Sequence, residues 1–222
     1  MDRFKDRVHA GRFLAERLKK YAHKPQTIVL GLPRGGVVVA HEIAEQLGLP
    51  LDIFLVRKLG VPGYEELAMG AIASGGVRVL NQDVLRSINI SRDEIQSIAE
   101  REEQELKRRE NAYRSNRPRT DLKGYTVILV DDGLATGATM RAAVLALRKQ
   151  NPEKIIIAVP TAAPNICADF RARVDEIVCG MTPSPFNAVG MWYEDFSQTS
   201  DEEVKHLLKE SHVADTSRGN IQ

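Results

Sequence analysis

The residues richest in chemistry lie together in one stretch, "VILVDDGLATGAT", at 127–139. Four apolar residues read as a buried strand, and Asp131 and Asp132 follow side by side at its end. Two carboxylates in that position are costly unless a ligand or partner compensates them. Gly133 to Thr139 then form a small-residue loop that leads into a helical segment. A loop at a helix N-terminus offers unpaired backbone N–H groups and the positive end of the helix dipole, which suits a phosphate. Thr136 and Thr139 add hydroxyl donors. Carboxylates that accept from vicinal hydroxyls, set beside a phosphate cradle, suit a sugar phosphate. A nucleoside-triphosphate loop needs Gly-Lys-Ser/Thr and a dinucleotide loop needs G-x-G-x-x-G; the stretch has neither. The plain alternative is an acidic strand end that caps a helix.

An alternation of strands and helices has to position this loop. "TIVLG" (27–31) is an apolar run followed by "LPRGG", then by "VVVAHEIAEQLG" with helical periodicity and a stop at Gly48, then by a second apolar run at 51–58. Strand, glycine loop, helix and strand make a βαβ unit with parallel strands. Parallel sheets present their ligands at the carboxyl ends of the strands, which is where Asp131 and Asp132 fall. "ELAMGAIASGGVRVLN" reads as two strands around Ser74-Gly75-Gly76, a hairpin signal. Residues 91–114 are highly charged: Ser91 and Glu94 fit a capping box, and Ile95, Ala99, Leu106 and Tyr113 leave a narrow apolar stripe. Acidic residues come early in it and Lys107, Arg108, Arg109 and Arg114 late, as the helix dipole favours. This is a solvated helix with one thin seam or, more sharply, a lid or subunit contact, and Pro118 marks its stop. Beyond the signature stretch, a helix at 138–151, a strand at 154–160, a helix at 163–174 and a strand at 176–181 continue the alternation. "TPSPFNAVGMWYEDFSQTS" is Pro-rich, holds the only tryptophan and reads as an irregular segment packed over the core. A short helix over "DEEVKHLLK" follows, and the last ten residues are expected to fray.

The bulk numbers narrow the partners. With 222 residues, 43% hydrophobic, 27% charged and a net charge of +1, the chain has the composition of an ordinary globular protein. Neither nucleic acid nor a membrane is expected as a partner, and a cytoplasmic location follows as the expectation. Cys167 and Cys179 have no metal-like spacing and read as two reduced, mostly buried thiols. The N-terminal "MDRFKDRVHAGRFLAERLKKY" is amphipathic and Arg-rich, but Asp2, Asp6 and Glu16 argue against a transit peptide. Phe4, Val8, Leu14, Leu18 and Tyr21 recur near helical spacing, so a first helix is expected to dock on the core. None of the five histidines shows metal-ligand spacing, and His41 reads as structural.

"VILVDDGLATGAT" closely resembles the phosphoribosyl-pyrophosphate (PRPP) signature of type I phosphoribosyltransferases. "GLPRGG" resembles that family's pyrophosphate loop, "VRKLGVPG" the segment entering its mobile catalytic loop, "ELAMGAI" the return to a strand, and "SPFNAVGMWYEDF" the C-terminal part of the hypoxanthine-guanine enzymes. As a whole the chain is similar to bacterial stand-alone phosphoribosyltransferase-domain proteins of undefined substrate. The resemblance implies an α/β fold with a central, mostly parallel sheet flanked by helices, a small hood and a mobile catalytic loop. It implies one domain: a core at about 24–180, a hood at about 181–212 and a tail at 213–222.

The resemblance also assigns roles. Transfer of the phosphoribosyl group from PRPP to a small nitrogenous base, with release of pyrophosphate, would pass through an oxocarbenium-like transition state with Mg²⁺ present. Asp131 and Asp132 would hold the ribose hydroxyls, partly through metal-bound water, and Ala135, Thr136, Gly137, Ala138 and Thr139 would wrap the 5′-phosphate. Arg34, Gly35 and Gly36 would hold pyrophosphate in a loop that in this family often contains a cis peptide. Arg57 and Lys58 would balance the ligand's negative charge, and Glu66, in the mobile loop with Tyr64 and Glu65, would contact ribose or base. Trp192, Tyr193 and Asp195, with Phe196, would form the hood over the base, or its own core. One departure bears on the base: the hypoxanthine-guanine enzymes carry an aspartate where Ala135 stands, as adenine-type signatures do not, so a 6-oxopurine substrate is disfavoured. A homodimer is compatible with the resemblance. The competing reading is a non-catalytic PRPP-binding regulator of transcription or RNA; a PRPP-synthetase-like diphosphotransferase lacks an evident ATP site. Replacing both aspartates with asparagine is expected to leave the unliganded fold intact, because the two carboxylates repel each other.

Overall fold

The computed structural model describes residues 3–88, 90–114 and 119–219, without the side chains of 65, 66 and 212–219. Pro118, expected as a helix stop, lies outside the described residues, as does the Glu66 side chain. In chain order the elements are α1 (Arg7–Arg17), β1 (Thr27–Gly31), α2 (Gly35–Leu47), β2 (Leu51–Ile53), β3 (Val56–Val61), β4 (Tyr64–Ala73), β5 (Val77–Leu80), α3 (Gln82–Ser87), α4 (Arg92–Arg114), β6 (Thr126–Val130), α5 (Ala138–Arg148), β7 (Lys154–Thr161), α6 (Pro164–Arg171), β8 (Glu176–Met181) and α7 (Asp201–Gly219). They fall into two compact units: Met1–Ile53 with Leu122–Gly137 and Asn151–Gln222, and Phe54–Asp121 with Ala138–Gln150. Among the described residues no helix is long and apolar enough to cross a membrane.

The first unit is a parallel sheet in the order β2-β1-β6-β7-β8. β1 is buried along its whole length, and so is β6 apart from its first residue. A parallel strand covered on both faces carries a continuous apolar run rather than an alternation, and "TIVLG" and "VILV" are such runs. Val29, Ile128, Val130 and Ile156 pack with Leu14 from α1, with Leu18 just after it, and with Val39, Ile43 and Leu47 from α2. A first helix docks on the core as expected, but it holds only Val8 and Leu14 of the five residues whose spacing suggests it; Phe4, Leu18 and Tyr21 lie outside it. Asp6 caps α1 by accepting from the His9 N–H at 2.7 Å, and α2 stops at Gly48 as expected.

The second unit is an antiparallel sheet, β3-β4-β5. The apolar run at 51–58 therefore does not form one strand: β2 ends at Ile53 and β3 begins at Val56. Phe54 and Leu55 between them are buried, so hydropathy runs on through a break that only the pairing reveals. The expected hairpin around Ser74-Gly75-Gly76 is present, with Ala73 opposite Val77. The segment read as a mobile loop is itself a hairpin, with Val61 opposite Tyr64 across Pro62-Gly63. α4 begins with the expected capping box, since Ser91 Oγ accepts from the Glu94 N–H at 3.2 Å and Glu94 accepts from the Ser91 N–H at 2.9 Å. Ile95, Ala99, Leu106 and Tyr113 are its buried seam, as their spacing predicts.

Two further expectations change. Cys167 on α6 and Cys179 on β8 are not thiols but a disulfide, S–S 2.12 Å. α6 folds back along β8, which brings two cysteines of separation 12 within a Cα–Cα distance of 6.6 Å; spacing in sequence carried no sign of that. The last helix runs to Gly219 rather than ending at 209, so part of the tail expected to fray is helical. The Pro-rich segment is irregular, as read, apart from one short 3₁₀ turn at Val189–Trp192.

Candidate functional site

β1 and β6 are neighbours in register, Gly31 beside Val130. The sheet extends from β1 to β2 on one side and from β6 to β7 and β8 on the other. That reversal is the switch point at which open α/β sheets form a crevice beyond the strand ends. Two loops meet there, one after β1 and one after β6, joined by the Leu32 N–H donating to the Val130 carbonyl at 2.9 Å.

The loop after β1 carries Arg34, Gly35 and Gly36. The Pro33–Arg34 peptide is cis, as the resemblance implies for this loop. Gly35 and Gly36 open α2, whose N-terminus has no side-chain cap, so its first N–H groups are available to an anion. A Cβ on Gly35 would overlap the Asp132 carboxylate and the Arg7 guanidinium, and one on Gly36 would lie 2.8 Å from the Val130 carbonyl oxygen. Only glycine permits that approach. Arg34 is partly exposed, with Asp201 3.9 Å away.

The loop after β6 carries the acid pair. Asp131 Oδ1 accepts from the Asp132 N–H at 2.9 Å. Burial, and then the neighbouring Asp132 carboxylate, push the Asp131 pKa well above the ordinary aspartate range. Asp132 is different. Its Oδ2 accepts from Arg7 Nε at 2.8 Å, with the two side chains only 11% and 18% exposed. Arg7 also donates through Nη1 to the Ser197 carbonyl at 2.7 Å, and its guanidinium lies 3.9 Å from the centre of the Phe196 ring. Sequence reasoning missed Arg7, one of several arginines in an amphipathic helix with nothing to single it out. Its presence corrects the expectation that both aspartates can be neutralised without cost: Asp132 has a buried cation of its own.

Further along, Ala135 and Thr136 are exposed. Leu134 fixes the loop by donating to the Thr161 carbonyl at 2.9 Å and accepting from the Ala163 N–H at 3.0 Å. Gly137 has φ 70° and packs on α6, where a Cβ would press on Phe170 and Ile166. Ala138 and Thr139 begin α5, in the second unit.

The three hood residues separate. Tyr193 is 3% exposed, its ring lies between Phe4 and Phe196 with centroids at 5.8 and 4.9 Å, and its hydroxyl donates to the Asp132 carbonyl at 2.6 Å. It anchors the hood to the acid loop and is buried within the hood itself, the alternative to stacking on a base. Asp195 accepts from the Ser197 N–H at 2.8 Å, a bond that holds its carboxyl below the usual range. Trp192 stacks on Phe186 at 6.4 Å, and its indole N–H has no partner among the described residues.

Arg57 and Lys58 lie in the second unit, in a cavity of about 550 Å³ lined also by Gly63, Arg101, Glu102 and Thr139. Arg57 directs both Nε and Nη2 at Glu102 Oε2, at 2.7 and 2.6 Å. Arg101 and Glu102 come from α4, so the charged helix supplies a wall of this cavity.

The crevice of this α/β sheet thus brings a glycine loop and an acid-bearing loop together at the switch point between β1 and β6. The phosphoribosyl transferase domain family matches residues 62–178, more than half of the 222 residues, and the chain belongs to that family. It is similar to TT1426 from Thermus thermophilus, whose crystal structure superimposes with a TM-score of 0.86 at 44% identity over 94% of this chain and 98% of that one. Two Mycobacterium tuberculosis proteins, from strains CDC 1551 and H37Rv, carry a phosphoribosyl transferase name and are 47% identical over 212 residues. Those residues are 96% of this chain and 48% of theirs, so the chain spans about half the length of the curated relatives it matches. The Bifunctional protein PyrR of Chloroflexus aurantiacus is 34% identical over 129 residues, 57% of this chain and 65% of that protein.

Proposed function

We propose that this chain is a PRPP-dependent phosphoribosyltransferase acting on a small nitrogenous base. The observation that carries the reading is the pairing, at the β1/β6 switch point, of an acid pair with the uncapped start of α2. In this reading Asp131 and Asp132 accept from the ribose hydroxyls, the loop beginning at Ala135 takes the 5′-phosphate, and the N–H groups of Gly35 and Gly36 with Arg34 take pyrophosphate. Arg57, Lys58 and Thr139 give the cavity of the second unit the chemistry to bind an anionic group. Pyrophosphate leaves with the electron pair of the C1–O bond, a base nitrogen donates its own pair to C1, and the base's proton passes to solvent. Carboxylates beside the ribose favour the positive charge that develops as that bond stretches.

The resemblance implies Mg²⁺. A divalent cation of this kind seeks anionic oxygens, but Asp132 Oδ2 is already paired with Arg7. The acid pair therefore does not fit direct coordination of a metal by both carboxylates, which leaves contact through metal-bound water, and no step is routed through a metal. Ala135, exposed and without a carboxylate, favours bases that need no acid at that position.

Calorimetric titration of the full chain with PRPP in Mg²⁺ buffer is expected to give saturable binding, lost in Asp131→Asn, and a panel of bases is expected to release pyrophosphate. Absence of any PRPP binding at millimolar concentration would overturn the reading.

A further inference from the structure

Arg7 is the first residue of α1 and is held on three sides: by the Asp132 carboxylate, the Ser197 carbonyl and the Phe196 ring. At 11% exposure its side chain is built into the cluster that contains the acid pair. Gly35 makes a further wall, since a Cβ there would overlap both charged groups, so the start of α2 is shaped around the Arg7–Asp132 pair. Asp131, one residue earlier, makes no ion pair among the described residues, although the Arg7 charge also acts on it.

A bare divalent cation and a ribose ask different things of two adjacent carboxylates. The cation seeks anionic oxygens and is repelled by a guanidinium in contact with one of them. A vicinal diol seeks only lone pairs, and a carboxylate that has accepted one hydrogen bond keeps the others. Arg7 cancels one of the pair's two negative charges and fixes which way Asp132 points.

We propose that Arg7 is a specificity-determining residue: by neutralising and holding Asp132 it makes the Asp131–Asp132 pair a receptor for ribose hydroxyls and denies it to a bare divalent cation. The inference rests on the sugar-phosphate reading of the acid pair given above. Arg7 acts through Asp132 and belongs to the N-terminal helix, outside the signature stretch.

The test titrates Mn²⁺ alone into the full chain, with free Mn²⁺ read by electron paramagnetic resonance, and separately titrates ribose 5-phosphate without metal by calorimetry. Wild type is expected to show no Mn²⁺ site at the acid pair below millimolar concentration. Arg7→Met is expected to gain one at least tenfold tighter, which disappears when Asp131→Asn is added, and to bind ribose 5-phosphate at least fivefold more weakly. Arg7→Lys, which keeps the charge, is expected to gain no Mn²⁺ site; Arg7→Gln repeats the measurement should the Met variant not fold. A wild-type Mn²⁺ site that Asp131→Asn removes, or no gain in either uncharged variant, overturns the proposal. If wild type binds neither ribose 5-phosphate nor PRPP while Arg7→Met gains its Mn²⁺ site, the sugar-phosphate reading falls and the exclusion of the cation by Arg7 stands. If PRPP binds and no site is gained, the reverse holds.

Discussion

Each of the two units holds an arginine–carboxylate pair among its candidate ligand groups, and the two pairs are inverted. In the first unit the candidate ligand group is the carboxylate, Asp132, and Arg7 supports it. In the second the candidate ligand group is the cation, Arg57, and Glu102 supports it. The settings differ as well. Arg7 and Asp132 are 11% and 18% exposed in a unit built on a five-stranded parallel sheet, whereas Arg57 is 33% exposed on a three-stranded antiparallel one. A pair shut away from water is strongly coupled to folding, because removal of one partner strands the other. The second pair is only half open, since Glu102 is 12% exposed beside Arg57, and a pair with one partner nearer to water contributes less to stability and more to the local field. The first pair should therefore be read out chiefly in stability and the second chiefly in affinity for an anion.

The sharpest test sets the two aspartates against each other. Asp132→Asn leaves the Arg7 guanidinium without its counter-charge and is expected to cost about 3 kcal/mol, seen as a clear drop in the denaturant midpoint. Asp131→Asn is expected to stabilise the unliganded protein at neutral pH. Its raised pKa means that the contribution of Asp131 to stability is fully present below the ordinary aspartate value near ~4 and is lost as pH rises through the folded-state value. The gain from Asp131→Asn should accordingly grow with pH and vanish in acid; equal behaviour of the two variants at neutral pH would erase the distinction between them. A smaller stability effect is expected from Glu102→Gln, about 1 kcal/mol given the exposure of Arg57. Freed of its carboxylate, the cavity should bind inorganic pyrophosphate roughly fivefold more tightly, measured by calorimetry; weaker binding would mean that Glu102 orients Arg57 rather than masks it. The smallest effect is expected from Tyr193→Phe, which removes the hydrogen bond to the Asp132 carbonyl at a cost of about 1 kcal/mol or less, read in the same denaturant titration.

Legibility in the sequence followed the range of the interaction. β1, α2 up to Gly48, β8 and the seam of α4 were readable because each depends on periodicity and on a stop or cap within a few residues. The acid pair and the glycine loop were readable because the groups that define them are contiguous. The break between β2 and β3 was not, because Phe54 and Leu55 are as apolar as their neighbours and only strand pairing separates two sheets. The Cys167–Cys179 bond was hidden because spacing says nothing of how α6 returns along β8. For Tyr193 the sequence leaves base stacking and hood core equally open, because local pattern does not show that Phe4, from the other end of the chain, packs against its ring.

By itself the sequence determined the class of the protein: a parallel α/β core whose strand ends carry two carboxylates and two glycine loops, on which the proposed phosphosugar reading rests. Short-range physics suffices for that, since caps, hydropathy periods and small-residue loops are local. Only the tertiary structure decided what each carboxylate is paired with. Arg7 and Asp132 are separated by 125 positions, and a long-range ion pair leaves no trace in local pattern. It arises from the packing of α1 on the sheet, and it makes two aspartates that look alike in sequence unlike in chemistry.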